Sequence, residues 1–434
     1  MSGRYMAKFW VICFRIIVGG TFLFSGFVKA VDPLGFAYKI QDYLIAFNVP
    51  ELMSWALPSA VFMVVAEFTL GFLLLLGVFP RWTIRLIGFF MLFFTPLTLW
   101  IALRNPVKDC GCFGDLLVIS NWQTFYKNLV LLAGVVVLLL FRKQITPLYS
   151  KKWMPFVAGF TVLFGLLFAL HNLYRLPLFD FRPYKIGSHI PDKMIVDPAQ
   201  SDQYENIFIY RKEGVDKEFT SDNYPWNDST WSFVEMKTKL VKEGIKPKIE
   251  DFEIERLIYS EPLGEWESEG YITDAILSEP DYSFLMVSYS LEKMCLRYLD
   301  RFTAVARYAR EKGIPFYLLT SSDVEEIDRW EKKYHTGIQF CHVDERVLKT
   351  MIRANPGLML LKDGTVINKW EGRGVPSVGK LSSHLQVLTE KGLRNPQKSD
   401  RWRLILIVFL LFIPLDVMKI KSDKGYTPIW RKRK

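Results

Sequence analysis

The chain has 434 residues, enough for about two or three domains, with half of them hydrophobic and a formal net charge of +10. Its apolar residues gather before Leu173 and again near the C-terminus, which excludes a wholly soluble protein and leaves one large polar insertion between membrane segments. The basic excess collects in short loops, as membrane topology requires, and no basic-aromatic patch marks a nucleic-acid surface, so no nucleic-acid partner is expected.

Arg4 and Lys8 precede an apolar stretch over residues 9–31. Arg15 interrupts it and no small-x-small cleavage site follows, so it reads as an uncleaved first span rather than a signal peptide. Residues 32–50 carry Phe36, Ile40, Tyr43, Leu44 and Phe47 at helical spacing, which predicts a short helix lying in the interface. A second span covers 52–79 and stops at Pro80-Arg81; a third covers 84–103, with Pro96 as its kink point. The motif Cys110-Gly-Cys112-Phe-Gly114 follows, then a fourth span over 122–141. Arg142, Lys143, Lys151 and Lys152 crowd one loop before a fifth span over 153–174. Residues 402–418 form a weaker sixth span, shorter than the usual length of about 20 apolar residues and ended by Pro414 and Asp416.

With six spans, Arg4, Lys8, Arg81, Arg85, the 142–152 loop and the tail from Lys419 through Lys434 share one side. The positive-inside rule makes that side cytoplasmic. The Cys110 loop and residues 175–400 then lie outside, and the expected location is a cell inner membrane with the soluble part in the periplasm.

Residues 183–281 are polar and aromatic-rich, with a strand-like Ile207-Phe-Ile-Tyr210, and support no fold assignment. From residue 282 onward the pattern is clear. Strands are predicted over 284–289, 315–320 and 338–341, and helices over 291–312, 323–334, 345–353 and 381–391. A hairpin over 357–370 turns at Lys362-Asp-Gly364. Alternating strands and helices closed by a hairpin indicate a small α/β domain. The expected fold class is therefore a multi-pass α-helical membrane bundle of about six spans plus a periplasmic α/β domain. Its predicted parts are 1–174, 175–281, 282–395 and 400–434.

Two resemblances emerge from these residues. Arg15, Gly19, Gly20, Gly26 and Lys29, followed by Glu67, Gly71 and Gly77, resemble the MauE/DoxX family of redox-associated membrane proteins. The Cys110–Gly114 motif and Phe125-Tyr-Lys-Asn128 look like the MauE branch, so the likeness covers roughly 9–145. It implies a redox role, since MauE proteins are implicated in maturing disulfide-rich periplasmic enzymes, notably methylamine dehydrogenase. The methylamine substrate does not carry over, because it rests on pathway context outside this chain. Residues 282–391 resemble a thioredoxin-like domain of the TlpA kind, with Asn355-Pro356-Gly357 at the place of that family's cis-proline. The chain departs where the family has Trp-Cys-x-x-Cys: here it reads Lys293-Met-Cys295-Leu-Arg297, with one thiol. The combination resembles inner-membrane proteins of Bacteroidota.

Cys110, Cys112, Cys295 and Cys341 are expected outside, and Cys13 falls within the first span. Thiolate is the reactive form, and flanking Lys108 and Lys127 would favour it. Three readings of the Cys110/Cys112 pair stand side by side: a redox couple, a static bridge, and a soft-metal site recruiting Cys341 and His342. Cys295, at a predicted helix start, is either an alternative partner for that pair or a buried small apolar residue. Cys341 reads as structural and Cys13 as helix packing. Arg15 and Glu67 are charges in lipid, which tend to face a bundle interior. An Arg15–Glu67 pair would be a proton or quinone site, or would fix helix register. Lys29 reads as a snorkelling residue, and His171 as a proton shuttle or a solvated side chain.

The candidate catalytic residues are thus Cys110, Cys112, Cys295 and Lys127. Arg15 and Glu67 are candidates for holding a cofactor, a quinone being the group in view, and no metal site is assigned. The expected function is thiol–disulfide or electron transfer, with the lipid bilayer and a periplasmic thiol protein or envelope complex as partners. The alternative is a non-catalytic scaffold or assembly factor whose degenerate thioredoxin fold binds an envelope partner.

Overall fold

Long apolar runs cannot leave backbone groups unpaired in lipid, so they close as helices. The computed structural model describes residues 2–107, 109–197, 200–242, 244, 246–260, 264–381, 385 and 396–424. The chain divides into two units, Met1–Arg182 with Lys391–Lys434, and Pro183–Glu390.

In the first unit, α1 (Ser2–Val31) stops at Asp32, whose side chain caps α2 (Pro33–Ala46) by accepting from the amide of Gly35. A 3₁₀ turn, Pro50–Trp55, leads into α3 (Ala56–Leu76). Next comes α4 (Pro80–Arg104), which continues through Pro96. Ser120 and Gln123 form a reciprocal capping box that starts α5 (Asn121–Leu140), and α6 (Met154–Tyr174) follows. Among the described residues, five helices are long and apolar enough to cross a membrane: Tyr5–Val31, Pro50–Leu76, α4, α5 and α6.

The crossing of α1 and α3 organises this bundle. A Cβ on Gly26 would stand 2.3 Å from the amide nitrogen of Phe68, and one on Gly71 would stand 2.3 Å from that of Leu23. Only small residues allow two helix backbones to approach so closely. Val18, Phe22, Leu70 and Leu74 pack beside the crossing with Met91, Leu131 and Val135 from α4 and α5.

After α7 (Pro191–Met194), the second unit builds two sheets. β1 (Gln203–Lys212), β2 (Val215–Phe219) and β3 (Ser232–Lys242) form an antiparallel sheet in the order β2-β1-β3. β4 (Glu255–Ser260) and β5 (Glu265–Tyr271) form a hairpin, followed by α8 (Thr273–Leu277). Then come β6 (Tyr282–Ser288), α9 (Leu299–Glu311), β7 (Phe316–Thr320), α10 (Val324–Tyr334), β8 (Gln339–His342), α11 (Glu345–Met351), β9 (Gly357–Lys362) and β10 (Thr365–Glu371). The strand order is β10-β9-β6-β7-β8-β4-β5. β6, β7 and β8 are parallel, while β9 pairs antiparallel with β6. Phe284, Met286, Phe302, Leu318, Phe340 and Leu358 fill the core. The Asn355–Pro356 peptide is cis.

Three expectations change. The helix predicted over 291–312 begins only at Leu299, after a 3₁₀ turn, Leu296–Tyr298. Amides that would have opened it are used elsewhere: that of Leu291 donates to Ser322 Oγ at 3.0 Å and that of Cys295 to the carbonyl of Asn355 at 3.0 Å. The sheet also reaches back before residue 282, because β4 pairs with β8 through Glu255–His342 and Arg256–Cys341. The expected sixth span folds as α12 (Pro396–Lys424) but is not among the five strongly apolar helices, since Arg403, Asp416 and Lys419 punctuate it. It nevertheless runs antiparallel to α6. Arg403 donates to the carbonyl of Leu178 at 2.7 Å at one end, and Ser422 Oγ accepts from the amide of Ser150 at 2.8 Å at the other. Leu411 and Leu415 pack with Phe68 and Phe72 of α3. The helix expected over 381–391, Lys108 and the Arg431–Lys434 cluster lie outside the described residues, apart from positions 381 and 385.

Candidate functional site

Because α1 and α3 touch through glycine, the next polar residues along each helix meet inside the bundle. Ser25 and Lys29 stand one turn apart on α1 and face Glu67 on α3. Lys29 Nζ lies 2.8 Å from Glu67 Oε1 and 2.9 Å from Oε2, and both residues are about 95% buried. Lys29 Nζ also sits 4.5 Å from the ring centroid of Phe36 on α2. The hydroxyl of Ser25 lies 2.7 Å from Glu67 Oε2 and 2.8 Å from the carbonyl oxygen of Cys112. It has one proton for two acceptors, so it couples the ion pair to the thiol loop.

That loop is held from both sides. Asn121 Nδ2, at the start of α5, donates to Asn105 Oδ1 at 3.0 Å and to the carbonyl of Val107 at 3.1 Å. From α2, Lys39 Nζ lies 2.8 Å from Asp109 Oδ2, and the Tyr43 hydroxyl donates to the carbonyl of Cys110 at 3.0 Å. Asp109 Oδ1 accepts from the amide of Gly111, whose φ of +68° places it in the left-handed region. A reversal at Gly111 folds its two neighbours together. Cys110 Sγ stands 3.2 Å from Cys112 Sγ, so the unbridged sulfurs are in van der Waals contact, one step from a bond of about 2.05 Å. Phe113 anchors the loop's far side against Phe24, with Lys127 Nζ 4.6 Å over its ring.

The two thiols differ. A hydrogen bond from Cys110 holds the Cys112 thiol down to about 6; burial opposes this, and the cations Lys127 and Lys29 assist it. Donating that bond, together with burial, pushes the Cys110 thiol up. Tyr43 is likewise raised, first by burial and then by the neighbouring thiols. At neutral pH the pair therefore holds one nucleophilic sulfur, Cys112, and one resolving thiol, Cys110.

Beneath the thiols lies a cavity of about 240 Å³. Its walls are mainly apolar, with Phe22, Phe36, Met63 and Phe94 among them, and its polar groups include Ser25, Lys29, Tyr43, Glu67, both thiols, Lys127, Thr98 and Asn128. Asn128 Nδ2 donates to Thr98 Oγ1 at 3.1 Å, so these two polar groups pair with each other.

Four expected site residues, Cys110, Cys112, Lys127 and Glu67, come together here. Arg15 does not. Its guanidinium donates to the carbonyls of Leu74 and Leu75 at 2.9 and 2.5 Å and to Thr146 at 3.3 Å, so it caps the C-terminus of α3 rather than pairing with Glu67. The reason is register: Arg15 precedes Ser25 by ten residues, about 15 Å along α1. Lys29, expected to snorkel, is instead Glu67's ion-pair partner, and Ser25, Lys39 and Tyr43 were missed. The available signal was the spacing of Ser25 and Lys29, which puts both on one helix face. Cys295 is exposed in the second unit, ahead of a three-residue 3₁₀ turn rather than an α-helix start. Cys341 is buried in β8, and burial pushes its thiol up to about 12. Among the described residues no group of three or more His, Cys, Asp or Glu side chains gathers to hold a metal. His171 is exposed near the end of α6 and is not part of the cavity wall.

Residues 6–141 match the family model described as methylamine utilisation protein MauE, a stretch that spans α1 to α5 and contains every residue of this site. The chain is thus a MauE-like multi-pass membrane protein over that region. Residues 204–243, covering β1 to β3, match a domain of unknown function, DUF8463. No curated protein and no solved structure matches the chain.

Proposed function

We propose that this chain carries out thiol–disulfide exchange at the outer face of a cell inner membrane, with Cys110 and Cys112 as the reactive pair. The observation that carries the reading is the pair itself: two sulfurs 3.2 Å apart, with Cys112 held down to about 6 beside two lysines. In that arrangement the Cys112 thiolate attacks one sulfur of a client disulfide and the other client sulfur leaves as a thiolate. Cys110 then gives up its proton and attacks Cys112 in the mixed disulfide. The products are a Cys110–Cys112 disulfide and two client thiols, and the reverse sequence oxidises a client.

Several features support the sidedness. The basic loop over 142–152 and the lysine-rich end of α12 meet, since Lys419 Nζ donates to the carbonyl of Leu148 at 2.5 Å. Clustered cations at one end of a bundle favour a cytoplasmic placement. The thiol loop lies at the opposite end of α5 from that basic loop, which supports its outer placement; the antiparallel run of α6 and α12 supports an outer placement for the residues between them. Parallel strands β6, β7 and β8 followed by the antiparallel β9–β10 hairpin support a thioredoxin-like reading of the β-rich unit.

One observation favours a division of labour. Cys295 is exposed, and the second cysteine of its unit, Cys341, is buried within a strand. The β-rich unit is then a binding module for a periplasmic thiol protein or envelope complex, and the bundle performs the exchange. The test is a titration of the purified full chain in glutathione redox buffers, read by differential alkylation and mass spectrometry. A two-electron transition between about −300 and −120 mV is expected for the pair. A bridge that stays closed below about −300 mV would sink the redox reading and leave the scaffold.

A further inference from the structure

The exchange steps above use the two thiols and assign no part to the cavity they line. We infer that it binds a lipid-soluble para-quinone, which Lys29 contacts and which takes the electrons of the Cys110/Cys112 pair; this rests on the redox reading of that pair.

The argument is one of shape and chemistry. At about 240 Å³ the cavity lies below the ~300–1,000 Å³ of a drug-sized site, which suits a one- or two-ring head group and excludes a nucleotide or peptide. Its walls are mainly apolar, so charged substrates would lose hydration without replacement. Two of its lining residues, Phe47 and Phe93, remain 45% and 61% exposed on the outside of the bundle. An opening flanked by such side chains suits a ligand that arrives from lipid and leaves an apolar tail there. Inside, the ligand needs a donor for a ring oxygen. Lys29 and Lys127 both line the cavity; Lys29 Nζ has three N–H bonds, two of them in contact with Glu67, and lies 4.5 Å from the ring centroid of Phe36, another lining residue. The sulfurs of Cys110 and Cys112 line the same space, so donor and reductant share one wall.

The step balances. Cys112 as thiolate and Cys110 as thiol lose two electrons and form the S–S bond. Both electrons pass to the quinone, whose two oxygens become hydroxyls. One proton comes from Cys110 and one from Lys29, which is recharged from solvent while Glu67 holds the counter-charge. Electrons taken from client thiols thereby leave through the membrane.

The probe is decylubiquinone, added without oxygen to the reduced full chain in quinone-free nanodiscs. The readouts are loss of both thiols by alkylation and quinol formed by absorbance. One quinol per two thiols is expected, and Leu97→Trp, at another lining residue where the larger side chain fills the cavity, should slow the reaction at least tenfold. Saturable binding of decylubiquinone to Cys110→Ser/Cys112→Ser should likewise be lost when Leu97→Trp is added, with thermal unfolding reporting that the variants fold. Lys29→Met paired with Glu67→Gln, which leaves no unpaired charge, should slow the reaction at least tenfold. Equal rates in wild type and Leu97→Trp, or binding that never saturates, would overturn the site. A wild-type pair that titrates in glutathione yet ignores decylubiquinone overturns this inference and leaves the exchange reading intact; a pair that does neither removes both.

Discussion

Replacing Cys110 with alanine removes the hydrogen bond that does most to hold the Cys112 thiolate. The bound thiol sits at about 6 against an ordinary 9.0, three decades that correspond to about 4 kcal/mol of differential interaction. If that bond supplied the whole difference, the thiolate fraction at pH 7 would fall from about 0.9 to about 0.01. The rate would fall much less, because a more basic thiolate is intrinsically more nucleophilic. A Brønsted slope of about 0.45 over three decades returns roughly 20-fold, leaving about a fourfold loss at pH 7. The two rate–pH curves should cross near pH ~8, with the alanine variant faster above it. The pH midpoint is therefore the decisive quantity, and a single-pH rate is not. Iodoacetamide labelling of Cys112 across pH 4–10, read by mass spectrometry, should give a midpoint near 6 in wild type. In Cys110→Ala it should rise above about 7.5, while Cys110→Ser, which retains a donor, should stay within about one pH unit of wild type. A wild-type midpoint of 8.5 or higher, or one unmoved by the alanine, would refute the asymmetry of the pair.

Other outcomes follow from the same geometry. Glu67→Gln leaves Lys29 buried without its counter-charge and should cost about 3–5 kcal/mol in detergent unfolding, much of it regained in Lys29→Met/Glu67→Leu. If the single and double variants unfold alike, the pair does not behave as a buried ion pair. Gly71→Leu drives a side chain into the α1 backbone and should lower stability by about 1–3 kcal/mol or more, whereas Gly20→Leu, with open space around it, should cost little; similar costs would refute the close crossing. Arg15→Met should destabilise the chain by freeing the α3 carbonyls while leaving the Cys112 pH midpoint in place; a moved midpoint would tie Arg15 to the site. Cys295→Ser should leave the glutathione titration of Cys110 and Cys112 unshifted, and a changed potential would show that the three thiols exchange.

Much of the architecture could be read along the chain. Five apolar runs, the short helix after Asp32, the Cys110–Gly–Cys112 loop and the Asp363-Gly364 hairpin are local, one-dimensional signals. Each follows from the period of apolar residues or from the backbone needs of a turn, and neither requires knowledge of neighbours. Strands β1 to β5 were largely illegible. Every residue of β3 is exposed, so burial imposed little alternation, and the pairing of β4 with β8 joins residues more than 80 positions apart.

The functional residues divide in the same way. Residue type and place in the chain singled out Cys110, Cys112, Lys127 and Glu67 as candidates, together with Arg15 and Cys295, because thiols, flanking cations and charges in lipid are unusual wherever they fall. Which cation answers Glu67 could not be decided there: Arg15 and Lys29 sit on the same helix, and either side chain is long enough to reach a partner. The tertiary structure decided it through the glycine contacts of α1 with α3, which set the register that puts Lys29 opposite Glu67 and Arg15 on the carboxyl end of α3. Helix period is written into a single chain, whereas the register between two helices exists only once both have packed.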